Sequence, residues 1–281
     1  MRTYLFLLLS LASWSCTNES TTEAEALPET TPAEYLITSP DAAVPLAAFS
    51  VTDTARLIPA YSMSPMATID ITTVIPRAED EALNALLRKD IADIIAGEEA
   101  TLAVTDLRQS LMDAVRTTLY NYQQQDIDST EVGASQSIYA LEKSYQTKVL
   151  YNEGNFLSLA VSEYVYAGGA HGNFVANLLT YAVAEKQLLT LENLFVPTAL
   201  PRLGELIKSK IDPDRLYAPE DVVAVSDNFV LTADGILFNY PPYAIGPYAA
   251  GEIEVLLPYA EVVEALNPAA KKLLSALLPP G

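Results

Sequence analysis

Residues 137–166 read SIYALEKSYQTKVLYNEGNFLSLAVSEYVY, and the middle of that stretch decides what kind of sheet the chain builds. Asn152-Glu153-Gly154-Asn155 combines residue types that tolerate the left-handed backbone a tight reversal needs. Before it, Ser137 to Leu150 reads as one extended run, and after it Phe156 to Tyr166 reads as another. The spacing therefore predicts a hairpin, and a hairpin joins neighbours that run antiparallel.

Working outward toward the N-terminus, the period lengthens. Ala67–Pro76 (ATIDITTVIP) places Ile69, Ile71, Thr73 and Ile75 on alternate positions, a half-buried strand stopped by Pro76. Leu83, Leu86, Leu87, Ile91, Ile94 and Ile95 then recur at three and four, predicting a helix over 80–96 with Gly97 at its C-cap. A second helix over 106–124 carries Leu107, Leu111, Val115, Leu119 and Tyr122 on one face. Residues 35–65 contain several prolines and receive no firm structure, so order is expected to begin at Ala67.

Toward the C-terminus the reading gives a strand over 176–183, a short segment over 191–195 and a helix over 200–211. A second hairpin follows over 229–239, turning at Ala233-Asp234-Gly235. Ile253, Val255 and Leu257 alternate in a strand over 252–257, and helices over 259–266 and 269–278 close the chain. Strands and helices mix without a βαβ rhythm. The expected fold is α+β, with a mainly antiparallel sheet and packed helices. A strand-helix-helix part over 35–135 precedes a hairpin-rich part over 136–281.

The first residues carry a different message. Arg2 followed by the apolar Tyr4 to Ala12 has the layout of a secretory signal, and that run is shorter than the roughly 20 residues a spanning helix needs. Ser13, Trp14 and Ser15 lead into Cys16, which resembles a lipobox with Ser13 in the place usually held by Leu. Residues 1–15 are thus expected to be a signal peptide and Cys16 the lipidated residue. Ordinary secretory cleavage before Cys16 is the alternative. Cys16 is the only cysteine of the chain, so no internal disulfide forms, and acylation gives a lone exported cysteine a purpose. Residues 16–34, rich in Thr, Glu, Ser and Pro, read as an acidic flexible tether. The expected location is the cell envelope, lipid-anchored to a membrane and facing the periplasm or the exterior. The formal net charge of −20 argues against nucleic acid or an anionic membrane surface as partner.

Two segments carry a family pattern. One is Tyr164-Val165-Tyr166-Ala167-Gly168-Gly169-Ala170-His171-Gly172-Asn173, and the other is LTADGILFNYPPYAIGPYAAGEIEVLLPYAEVVEAL, from Leu231 to Leu266. Together they resemble the C-terminal domain of uncharacterised function in the anti-sigma factor RsiV. The first half, with the Ile75-Pro76 break and a helix carrying Leu83 and Asn84, is similar to a companion domain also found in PdaC-type peptidoglycan deacetylases. The resemblance implies an extracytoplasmic binding domain in the context of the cell wall, with lysozyme or peptidoglycan fragments as partners. No cytoplasmic anti-sigma segment, spanning helix or deacetylase domain is read in these residues.

The catalytic signals are thin. His171 is the only histidine, so a His-rich zinc site is excluded, and no Gly-x-Ser-x-Gly elbow supplies a nucleophile. No catalytic residue, metal or cofactor is assigned. The expected ligand residues are His171 with its turn at Gly168 and Gly169, and Tyr240, Tyr243 and Tyr248 of a loop stiffened by prolines. Against this stands a purely structural role for both: a turn bonded to its own backbone, and rings packed over a sheet edge. The acidic pairs Glu98-Glu99, Glu220-Asp221 and Glu252 with Glu254 are expected to be solvated charge, the last two sharing the outer face of one strand. A binding or sensing module is the reading carried forward. The alternatives are a cell-wall hydrolase working through carboxylates and a structural envelope accessory protein.

Overall fold

The computed structural model describes residues 34–37, 41–96, 104–127, 129–132 and 136–280. Residues 1–15 expected to be a signal peptide, Cys16, nearly all of the residues read as a tether, Gly97 and the Glu98-Glu99 pair lie outside them. Order starts earlier than Ala67, because β1 (Glu34–Ile37) and β2 (Leu46–Arg56) precede β3 (Met66–Pro76). The first half of β2 is buried nearly continuously rather than alternately, which is why period-2 reading passes over it. After β3 come α1 (Glu81–Ala96), α2 (Leu107–Gln123) and the short α3 (Ser129–Val132). Asp106 caps α2 by accepting from the Gln109 N–H.

The expected hairpin is β4 (Leu141–Glu153) and β5 (Phe156–Tyr166), closed by a two-residue loop in which Gly154 has φ +59°. Residues 137–139, read as the start of the strand, instead belong to a turn of 3-10 helix over Gln136–Tyr139. Then follow β6 (Asn173–Ala182), β7 (Gln187–Leu188), α4 (Leu191–Leu194) and α5 (Leu200–Lys208). The second hairpin is β8 (Phe229–Leu231) and β9 (Gly235–Tyr240), and β10 (Ile253–Pro258) pairs with β9. The closing helices α6 (Tyr259–Val262) and α7 (Pro268–Leu273) are shorter than expected.

β1 to β7 form one seven-stranded sheet in sequence order, and β8 to β10 form a three-stranded sheet. Every pairing is antiparallel except β3 with β4, where the intervening helices carry the chain back to the same end. The boundary read between residues 135 and 136 falls just before β4, and the larger sheet continues across it.

Two cores explain the layering. Leu83, Leu87 and Ile91 of α1 and Leu111, Val115 and Leu119 of α2 pack on one face of the large sheet with Ile69, Ile71, Leu157 and Leu159. Phe156 and Ala182, on the opposite face, join Phe238, Val255, Leu257 and Ile207 in a second core. The start of β5, FLSLAV, is therefore buried on both faces, which is why it reads as apolar without clean alternation.

A polar seam joins the sheets. The outer edge of β6 would leave backbone groups unpaired, and the Asn228 side chain takes the place of a strand. Its Oδ1 accepts from the Leu178 N–H at 2.7 Å and its Nδ2 donates to the Ala176 carbonyl at 2.7 Å. The Leu231 N–H donates to Thr180 Oγ1, which also shares a buried hydrogen bond with Ser158. Truncating Asn228 to Ala orphans a donor and an acceptor at once, so the expected loss is roughly 2–4 kcal/mol of unfolding free energy in a denaturant titration. A loss below about 1 kcal/mol would show that water replaces the amide at this edge.

Candidate functional site

β5 and β6 are joined by the Gly168-Gly169-Ala170-His171-Gly172 turn. Gly168 has φ +82°, and a Cβ there would lie 2.3 Å from the Ile138 carbonyl oxygen, so glycine is needed for both conformation and space. Gly169, at φ +99°, faces open space but accepts a hydrogen bond on its carbonyl from the Tyr166 hydroxyl. Gly172 is covered by the Tyr164 ring, which a Cβ would meet at 2.4 Å.

This turn sets His171 against the tyrosine loop. The imidazole stacks on Tyr248 with ring centroids 4.1 Å apart and planes inclined by 22°. Tyr243 lies against the other ring with centroids 5.6 Å apart. The Gly172 carbonyl receives the Tyr248 hydroxyl at 2.9 Å and His171 Nδ1 at 2.9 Å. A carbonyl only accepts, so Nδ1 carries the hydrogen of that bond. His171 and Tyr243 are exposed and Tyr248 is half-buried. Three of the expected ligand residues therefore form one continuous aromatic surface.

Tyr240 does not join it. Its side chain is buried, with the hydroxyl donating to the Ala224 carbonyl at 2.7 Å and accepting from the Ser226 N–H. Burial pushes its pKa up to about 12. The reading of Tyr240 as a ligand residue is corrected: it is a core tyrosine whose polar tip fixes the 224–226 segment. Glu252 is corrected likewise. Glu254 is exposed, but Glu252 is half-buried, accepting from Asn239 Nδ2 at 3.1 Å. Desolvation raises its pKa.

The loop beneath the rings is stiff. Arg215 donates to the Ala250 carbonyl at 2.7 Å and to the Glu252 carbonyl at 2.8 Å. The Tyr217 N–H donates to the Ile245 carbonyl. Tyr243 holds φ +72°, a left-handed backbone unusual for a bulky residue. Strain of this kind persists only where the surroundings over-determine it, and it concentrates at functional sites. Arg215 carried no signal in the sequence, because its contacts lie 35 and 37 residues away.

With this geometry in place, the likeness to known proteins is specific. Residues 65–174 match the family described as Deacetylase PdaC, and residues 192–260 match the family described as Protein of unknown function (DUF3298). The chain carries a PdaC-type N-terminal region followed by a DUF3298 region. The PdaC match includes the glycine turn, which the sequence reading had joined to the C-terminal part. No curated protein matches the chain. A DUF3298 family member from Bacteroides fragilis NCTC 9343 has a similar crystal structure, with TM-score 0.69 and 22% identity over 84% of this chain and 99% of that one. A DUF3298 family protein from Pseudomonas aeruginosa PAO1 is similar at TM-score 0.53 and 18% identity, over 84% and 98% respectively. At these identities the likeness establishes the fold.

The two glycines make a direct comparison. Gly169→Ala adds only backbone strain, on the order of 1–2 kcal/mol. Gly168→Ala adds the collision with Ile138 to the same strain and is expected to cost clearly more. Thermal unfolding of both variants checks the order, and equal losses would contradict the packing described around Ile138.

Proposed function

We propose that this chain is a non-catalytic binding module of the bacterial cell envelope, recognising a cell-wall glycan on the His171–Tyr248–Tyr243 surface. The observation that carries the reading is an exposed aromatic stack held on a strained, pinned loop. Such rings offer flat apolar faces with polar tips at low entropic cost, which suits stacking on sugar rings. His171 Nε2 and the Tyr243 hydroxyl are placed to add polar contacts at the rim. The PdaC-type region agrees with a cell-wall setting. The net charge of −20 favours a second reading, a lysozyme-like cationic protein as ligand.

Tyr243→Gly separates function from folding. It relieves about 1–2 kcal/mol of left-handed strain and loses about 0.5–1 kcal/mol to chain entropy, so the melting temperature is expected to stay nearly unchanged. Affinity for soluble wall glycan fragments, measured by calorimetry on the full chain, is expected to fall at least tenfold. Wall fragments that do not bind, or bind the variant equally, overturn the glycan reading. Lysozyme binding that weakens with salt would put the cationic-protein reading in its place.

The membrane anchor is proposed to be the acylated Cys16. On expression of the full chain in a bacterial host, Cys16→Ala is expected to shift the protein from the membrane fraction to the soluble extracytoplasmic fraction. An unchanged distribution would remove the anchor from the proposal.

A further inference from the structure

A second surface adjoins the tyrosine loop. α1, β6, the 188–192 segment and the loops at 224–228 and 240–245 enclose an open groove of about 1000 Å³. Its floor is a set of half-buried apolar side chains, among them Ile94, Val175, Leu179, Leu188, Val225 and Ile245. The wall made by α1 is fixed, because Tyr181, fully buried in β6, donates its hydroxyl to Asp90 at 2.9 Å. The opposite wall is fixed by Asn228, which ties its loop to β6.

The charge of the groove has one sign. Asp90, Asp93, Glu192 and Asp227 line it, and among the described residues no Lys, Arg or His does. Asp93 is paired with Lys89 outside the lining, whereas Glu192 and Asp227 are exposed at the mouth. An apolar floor under a carboxylate rim complements a ligand with the reverse layout, apolar side chains flanked by ammonium or guanidinium groups. The groove runs from α1 across β6 to the tyrosine loop.

We propose that this groove is a docking site for a cationic amphipathic peptide segment. The site is separate from the aromatic surface and does not depend on the glycan reading. Charge supplies orientation and on-rate, while the floor supplies the apolar contacts that hold the segment.

The test uses the full chain and a labelled twelve-residue peptide of alternating Lys and Leu, with Lys/Ser and Glu/Leu peptides as controls. Saturable binding of the Lys/Leu peptide is expected, at least tenfold tighter than either control. Glu192→Gln with Asp227→Asn is expected to weaken it at least fivefold. Asp113→Asn with Glu142→Gln, on α2 and β4 outside the groove, removes the same net charge and is expected to leave affinity within twofold. Equal loss from both double variants reduces the effect to overall charge and overturns the site. Lys/Leu and Lys/Ser peptides binding alike removes the role of the floor and overturns it too. His171→Ala, on the aromatic surface and outside the groove lining, is expected to leave peptide binding unchanged, so failure of the glycan reading and failure of this one are read separately.

Discussion

The structure turns on how the outer edge of β6 is closed. A sheet edge in a protein interior must pair its N–H and C=O groups, because each one left buried and unpaired costs on the order of 1–3 kcal/mol. No strand of the smaller sheet runs alongside β6 in register. Instead Asn228 presents an amide to Leu178 and Ala176, and the Leu189 N–H donates to the Thr180 carbonyl. Side chains thus complete an edge that backbone would otherwise complete, and the second core forms over it. Asn228 also donates to Asn239, itself fully buried and bonded to Glu252, so the seam is one connected network. Asn239 sits on β9 and Glu252 just before β10, so the smaller sheet is positioned by the same network that seals the larger one.

The same device appears twice more. Asn152 accepts from the Val44 N–H and donates to the Val44 carbonyl, and Asn84 does so with Ala78. This explains what was legible in the sequence and what was not. Elements with local periodicity were legible: β3, α1, α2, the β4–β5 hairpin and β10 announce themselves by spacing. The amide bridges were not. Asn152 reads as a turn residue, although its partner is 108 positions away. Asn84 sits in an ordinary helical run, and nothing local marks Asn228. β2 escaped for a related reason, since its first half is covered on both faces and loses the alternation that marks a half-buried strand.

The aromatic surface was legible only in part, again for physical reasons. Composition pointed to His171 and the tyrosine loop, but it gave equal weight to Tyr240, Tyr243 and Tyr248. Which tyrosine turns outward depends on backbone geometry. Tyr240 ends β9 on its inner face, so its ring enters the second core and its hydroxyl is absorbed by the 224–226 segment. Tyr243 comes three residues later, where the left-handed backbone throws its ring outward against Tyr248. A Cβ at Gly246 would lie 2.1 Å from the Arg215 carbonyl oxygen, so only glycine lets the loop sit this close to its anchor. Prolines alone would have stiffened this segment without deciding which face it shows.

Closing the β6 edge with side chains also constrains how the protein recognises anything. A common way for a sheet to bind a peptide is to accept it as an added strand, drawing affinity from main-chain hydrogen bonds. Between Ala176 and Thr180 that route is partly taken by Asn228 and the Leu189 N–H. Recognition beside this edge therefore falls to side chains, and both proposed surfaces, the aromatic stack and the carboxylate-rimmed groove, draw on them. Side-chain recognition is set by the shape and charge of a few groups, and those groups sit on loops pinned by Arg215, Asn228 and Tyr240. The polar seam that makes the fold possible is thus also what makes those surfaces rigid enough to discriminate.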